Sequence, residues 1–214
     1  MNVLFDLDGT LTDPREGIVG CIKHALVALQ RSVPNDDVLA TLIGPPLRDT
    51  FGELLGPRSS TDEVEVAIAA YRERFATVGM FENTVHKGIP EVLEALSTRG
   101  ARLFVATSKP RVFAERILEH FDLAKHFDAI YGSELDGRLA DKTELVRHAL
   151  TASSLAPTDT VMVGDRLHDV VGALRNNVFP VGVLWGFGSE HELLTAGAKK
   201  VLSQTHELAH LVHP

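Results

Sequence analysis

A chain of 214 residues with 21 Lys and Arg against 29 Asp and Glu carries a formal charge of -8. That balance excludes a broad nucleic-acid surface, which needs clustered cations, and leaves any anionic substrate to local donors rather than long-range attraction. With 44% hydrophobic residues and one cysteine, Cys21, the composition indicates a soluble, globular, cytoplasmic protein, and no uncharged stretch approaches the roughly 20 residues needed to cross a bilayer.

The first predicted element is the apolar run Val3-Leu4-Phe5, a buried strand that runs into Asp6-Leu7-Asp8 and breaks at Gly9-Thr10. It begins too close to Met1 to leave room for a signal peptide. Alternate residues of a strand share a face, so Asp6 and Asp8 emerge together at its carboxyl end. Side-by-side carboxylates repel, and such a pair serves a cation, a shared proton or a reaction.

Asp13-Pro14 marks a helix start, with Asp13 as the expected cap and Ile18, Ile22, Ala25, Leu26 and Leu29 as its apolar stripe. Cys21 lies beside that stripe as a packed side chain. A short helix restarts at Asn35-Asp36, Gly44-Pro45-Pro46 interrupts it, and a helix resumes over 47–55. Thr61-Asp62-Glu63 is expected to cap a longer helix reaching about Val78. Residues 14–83 therefore read as helices only. From Gly88 the rhythm changes. Helices are expected over 90–97, 111–120, 142–152 and 167–176, and strands over 102–106, 129–131, 160–163 and 180–184. A final strand–helix pair is expected near 199–212. Strands alternating with helices indicate a parallel sheet covered on both faces. Asn177, past the end of a helix, suits a left-handed cap.

Chemistry in an open parallel sheet gathers beyond the carboxyl ends of the strands. Four such ends here are polar or reactive: Asp6 with Asp8, then Thr107-Ser108-Lys109, then Asp141-Lys142, and then Gly164-Asp165-Arg166-Leu167-His168-Asp169. Each is ordinary alone, and the ordered set is specific. The motifs DLDGTLTD, VATSKP, ADKTEL and GDRLHD resemble those of the haloacid dehalogenase superfamily. Within it, the helical segment with IGPPLRDTF and the later LWGFGS resemble the phosphoglycolate-phosphatase-like branch.

The resemblance implies an α/β fold, with a doubly wound, Rossmann-like parallel-sheet core (1–13 and 84–214) and an inserted all-helical cap domain (14–83). It implies a Mg²⁺-dependent phosphatase that hydrolyses a small phosphate monoester through an aspartyl-phosphate. Phosphoglycolate is the leading substrate, nucleotides and other small metabolites come next, and the protein is expected as a monomer or homodimer. Asp6 would be the nucleophile and Asp8 the general acid and base. Thr107 would donate a hydroxyl to the phosphoryl group, and Lys142 would supply a fixed charge. Mg²⁺ would be held by Asp6, Asp165 and the Asp8 carbonyl, with Asp169 in support. Ser108 and the cap residue Arg48 are the expected substrate contacts. Lys109 competes with Lys142 for the lysine role and is expected to be solvated.

A sugar-phosphate mutase, a phospho-acceptor switch domain and a catalytically dead scaffold are the rival readings. The Asp6/Asp8 pair and the large helical insert disfavour the switch. Two further patterns are decoys. His206-Glu207-Leu208-Ala209-His210 fits the zinc-protease spacing, but only His213 follows closely as a third ligand. Gly186-Phe187-Gly188 begins a dinucleotide-like glycine pattern at the wrong end of the chain and is expected to be a turn.

Overall fold

The computed structural model describes residues 1–211. The chain forms two compact units, one of Met1–Asp13 with Val85–Pro214 and one of Pro14–Thr84.

The first unit holds a six-stranded sheet. Its strands are β1 (Asn2–Phe5), β4 (Arg102–Pro110), β5 (Ala129–Ser133), β6 (Thr160–Gly164), β7 (Phe179–Val183) and β8 (Lys200–Leu202). The skipped labels belong to a separate two-stranded sheet of β2 (Thr12–Asp13) and β3 (Thr84–Val85), which brackets the helical segment in the sequence. The spatial order is β5-β4-β1-β6-β7-β8, with every neighbour parallel. The chain thus starts in the middle, winds to one edge, returns and winds to the other. This is the doubly wound topology, with its switch point at β1 and β6. Phe5 is level with both Val105 and Val163. The residues that follow on these three strands therefore surface together at one end of the sheet.

Helices α5 (Ile89–Thr98), α6 (Arg111–His120), α7 (Lys142–Ala152), α8 (Leu167–Arg175) and α9 (Glu190–Ala196) connect the strands. Leu145, Val146, Ala149 and Leu150 of α7 recur at helical spacing and bury against Leu4, Phe104, Ala106 and Met162 of the sheet. The Asp141 carboxylate accepts from the Glu144 N–H at 3.0 Å. That cap starts α7 one residue later, at Lys142. Asn177 has φ 57°, the left-handed turn its position after α8 suggests.

The second unit is helical: α1 (Arg15–Ala28), α2 (Asp36–Ala40), α3 (Leu47–Leu55) and α4 (Thr61–Arg74). Its interior joins Ile18, Ile22, Ala25 and Leu26 with Phe51, Ile68, Tyr71 and Phe75. The Phe51 and Tyr71 rings meet edge to face at 6.2 Å.

Several local expectations change. Ser60, not Thr61, caps α4: its hydroxyl accepts from Glu63 N, and Glu63 accepts in return from Ser60 N. Beyond Arg74 the helix widens into a π-turn over Phe75–Gly79, closed by Met80 N donating to the Phe75 carbonyl at 3.0 Å. Pro14, one residue after the expected Asp13, occupies the cap position of α1. Helix α9 was not anticipated, because its seven residues are too few to show a period. The expected last helix is a 3₁₀ segment, Thr205–His210, and Val212 lies outside the described residues. Among those residues no helix is long and apolar enough to cross a membrane.

Candidate active site

Asp6 and Asp8 stand where β1 ends. Asp6 N donates to the Val163 carbonyl of β6 at 2.9 Å, continuing the ladder one residue past the strand. Gly9, at φ +84°, turns the chain away. A Cβ at Gly9 would lie 2.3 Å from Asp165 Oδ2, so no larger residue could pass so close to that carboxylate.

Lys142 is the hub of the buried charges. Its ammonium lies 2.8 Å from Asp6 Oδ1, 2.8 Å from Asp169 Oδ1 and 3.0 Å from the Ala106 carbonyl. Burial alone would favour the neutral amine, but the Asp169 and Asp6 carboxylates outweigh it and hold Lys142 protonated above the ordinary lysine range. Asp169 sits on the first turn of α8, where its Oδ2 accepts from Arg166 N at 3.1 Å. Burial pushes its carboxyl up to about 6, against the opposing pull of Lys142.

Asp165 is fully buried. Its Oδ1 accepts from the Thr10 hydroxyl at 3.3 Å and its Oδ2 from Phe187 N at 2.8 Å. Burial, and then the neighbouring Asp169 and Asp6, hold it well above the usual carboxylate range.

Oxygens of Asp6, Asp165 and Asp169 all lie within 4.8 Å of one another. This donor set is all carboxylate, buried and short of positive charge, which fits a hard divalent cation such as Mg²⁺. The penalty that burial and the neighbouring acids place on the Asp165 carboxylate is what a cation would relieve.

Thr107 is buried at the end of β4, and its hydroxyl accepts from Lys109 N at 3.2 Å. The Ser108 hydroxyl is engaged with the Ala140 carbonyl at 3.1 Å. Arg48, on α3, is exposed and ion-paired with Glu65 at 2.7 Å within the helical unit. His168 is exposed and lies outside the donor set.

Sequence reasoning misjudged one feature and missed two more. Lys109 is not solvated. Its side chain is 6% exposed and pairs with Asp8 Oδ2 at 2.8 Å. The Trp185-Gly186-Phe187-Gly188 stretch is a turn, but a turn folded over the acids: besides the Phe187 contact, the Trp185 indole donates to the Thr10 carbonyl at 2.9 Å. Glu192 of α9, which had no sequence signal, accepts from Arg166 Nε and Leu167 N, both at 2.9 Å, and steadies the loop between Asp165 and Asp169. As for the zinc pattern, Glu207 is occupied in accepting from Ser203 N and Gln204 N, both at 2.7 Å. Its flanking histidines lie on a 3₁₀ turn rather than one face of an α-helix, and His213 lies outside the described residues.

Residues 3–183 match the family described as haloacid dehalogenase-like hydrolase. A 5'-nucleotidase of Pseudomonas aeruginosa is 53% identical over 90% of this chain and 86% of its own. The tyrosine-protein kinase PtkA of Mycobacterium tuberculosis is 42% identical over 87% of this chain but only 62% of its own length. A phosphoglycolate phosphatase of Agrobacterium fabrum is 32% identical over 86% of this chain and 80% of its own. Among solved structures, a predicted phosphatase of Clostridium acetobutylicum superposes with a TM-score of 0.92 at 45% identity, covering 98% of this chain and 96% of that one.

Proposed function

Because the chain belongs to the haloacid dehalogenase-like hydrolases and is a phosphoric monoester hydrolase, we propose that it cleaves small phosphate monoesters through an aspartyl-phosphate on Asp6, with nucleoside 5'-monophosphates as the first substrate class. The observation that carries the mechanism is the placement of Asp6: its carboxylate is held by Lys142 beside two further acids.

Asp6 attacks phosphorus, the bond to the leaving oxygen breaks, and Asp8 passes a proton to that oxygen. Water then cleaves the aspartyl-phosphate, with Asp8 taking the proton back. Lys142 and the Thr107 hydroxyl hold the phosphoryl oxygens as charge shifts from the attacking to the leaving side. Asp6, Asp165 and Asp169, with the Asp8 carbonyl, are the residues that would hold Mg²⁺. When bound it offsets the charge that keeps a carboxylate from a phosphate dianion.

The substrate class rests on the nucleotidase relative, which is more similar over more of the chain than the phosphoglycolate phosphatase. Phosphoglycolate is the second reading. Arg48 and Ser108 are assigned to substrate recognition, and the helical unit is assigned as the cap. A cytoplasmic monomer or homodimer completes the proposal, the single cysteine supporting the reducing compartment alone.

A Mg²⁺ assay across nucleoside 5'-monophosphates, phosphoglycolate and p-nitrophenyl phosphate tests all of this. The nucleotides should give the highest kcat/KM, and a larger value for phosphoglycolate would reverse the order. Asp6→Asn should be folded and inactive on every ester, so substantial Mg²⁺-dependent turnover by that variant sinks the mechanism. Arg48→Ala should raise KM for the best metabolite more than for p-nitrophenyl phosphate, and equal effects would remove Arg48 from recognition.

A further inference from the structure

The two aspartates at the end of β1 do not share one lysine. Asp6 is held by Lys142, and Asp8 by Lys109. The Lys109 contact follows from an irregularity in β4. Pairing with β5 runs in step to Thr107↔Gly132, then skips to Pro110↔Ser133, so Ser108 and Lys109 form a bulge. A bulge re-aims a side chain, and this one is pinned three times. Ser133 Oγ donates to the Ser108 carbonyl at 2.8 Å, Ser108 Oγ donates to the Ala140 carbonyl at 3.1 Å, and Lys109 N donates to Thr107 Oγ1 at 3.2 Å. A lysine that would otherwise be expected in solvent is thereby buried against Asp8. Burying an ammonium is costly unless it is paired, and Asp8 Oδ2 is its partner at 2.8 Å. The other oxygen, Asp8 Oδ1, is buried and has no hydrogen-bond partner among the described residues.

We propose that Lys109 is a positioning residue: it pins Asp8 through Oδ2, keeps that carboxylate out of the Asp6–Asp165–Asp169 donor set, and leaves Oδ1 as the oxygen that handles the proton of the leaving group. The inference rests on the proton-transfer role given to Asp8 above. It accounts for a sorting that the sequence leaves open. Asp6 and Asp8 are two residues apart, yet only Asp6 offers its side chain to the acidic cluster.

The readout is dependence on the leaving group. A p-nitrophenolate departs without a proton, whereas an alkoxide needs one, so loss of a positioned acid penalises alkyl esters selectively. Lys109→Met should lower kcat/KM for a nucleoside 5'-monophosphate on the order of tenfold more than for p-nitrophenyl phosphate, mainly through kcat. Lys109→Arg should recover part of that ratio, and Lys109→Gln serves if the methionine variant does not fold. Asp8→Asn is the reference. If Asp8→Asn discriminates between the two esters and the Lys109 variants lose both activities equally, Lys109 is merely structural and the inference fails alone. If Asp8→Asn does not discriminate either, the role given to Asp8 fails and the inference with it. Adding Lys109→Met to Asp8→Asn should change the ratio no further, because the two side chains act as one unit.

Discussion

Asp165 shows how closely single residues are fitted in this site. It contributes a carboxylate that is fully buried, bonded at one oxygen by Thr10 and at the other by Phe187 N. The space around it is kept by residues without side chains. A Cβ at Gly186 would stand 2.4 Å from Asp165 Oδ2 and 2.4 Å from the Gly9 carbonyl. Gly186→Ala should therefore push the loop off the acids, at a cost of about 1–3 kcal/mol as in other overpacked sites. We expect a lower melting temperature and a higher Mg²⁺ concentration for half-maximal activity. Melting and Mg²⁺ titration both unchanged would show that the loop is not seated on Asp165.

Among the elements, α4 runs into a π-turn, and that turn has a visible anchor. Arg74, the last residue of α4, makes a two-pronged pair with Glu82, Nη1 to Oε2 at 2.7 Å and Nη2 to Oε1 at 2.9 Å, and its Nη1 also reaches the buried Cys21 Sγ at 3.4 Å. The chain between the two ends of this clamp is the widened turn itself. Hydrogen bonds to Glu82 hold the guanidinium charge above even its ordinary range. Both side chains are only about a quarter exposed, 25% and 27%, so solvent screens the pair incompletely. Glu82→Gln keeps the shape and removes the charge. It should destabilise the protein by about 1–2 kcal/mol and lower the melting temperature by a few degrees, with kcat on p-nitrophenyl phosphate changed far less. An unaltered melting curve would mean that the clamp contributes nothing. The pair was not legible beforehand, since a spacing of eight along an interrupted helix matches no simple periodicity.

At the scale of the molecule, a parallel sheet that reverses winding at β1 and β6 brings acids from distant parts of the chain to one place: Asp6 from just past the first strand, Asp165 from just past the fourth of the core, and Asp169 from the helix that follows it. Their mutual repulsion burdens the folded state, and a cation held among them would relieve it. On the proposal that Mg²⁺ occupies this cluster, which the unfolded chain lacks, the ion should stabilise the protein by mass action. At about 100 times its dissociation constant the gain is about 2.7 kcal/mol, which is a rise in melting temperature of roughly 5–10 °C for a chain of this length. Differential scanning calorimetry with and without Mg²⁺ reads this, chelator should reverse it, and Asp165→Asn should abolish it. An equal rise in Asp165→Asn would place the ion elsewhere.

Much of this was open to reading from the residues in order. The alternation of short apolar runs with helical stripes, the Asp6-Leu7-Asp8-Gly9 strand end, and the spacing of Asp165 and Asp169 on a helix start are local patterns. Local backbone preference and hydrophobic periodicity were enough to place them. The assignment of Lys142 to the acids came from the resemblance, through its place before a helix and ahead of the fourth motif, and its ammonium stands 2.8 Å from both Asp6 and Asp169. What the tertiary structure alone decided is the pairing of charges. Lys109 reads as solvent-bound until the register between β4 and β5 slips and turns it inward. Glu192 meets Arg166 and Leu167, and the Trp185–Gly188 turn meets Asp165, only through the return of the chain along β7. Such contacts depend on strand register and on closure of long loops, and these are properties of the assembled sheet rather than of any stretch of sequence.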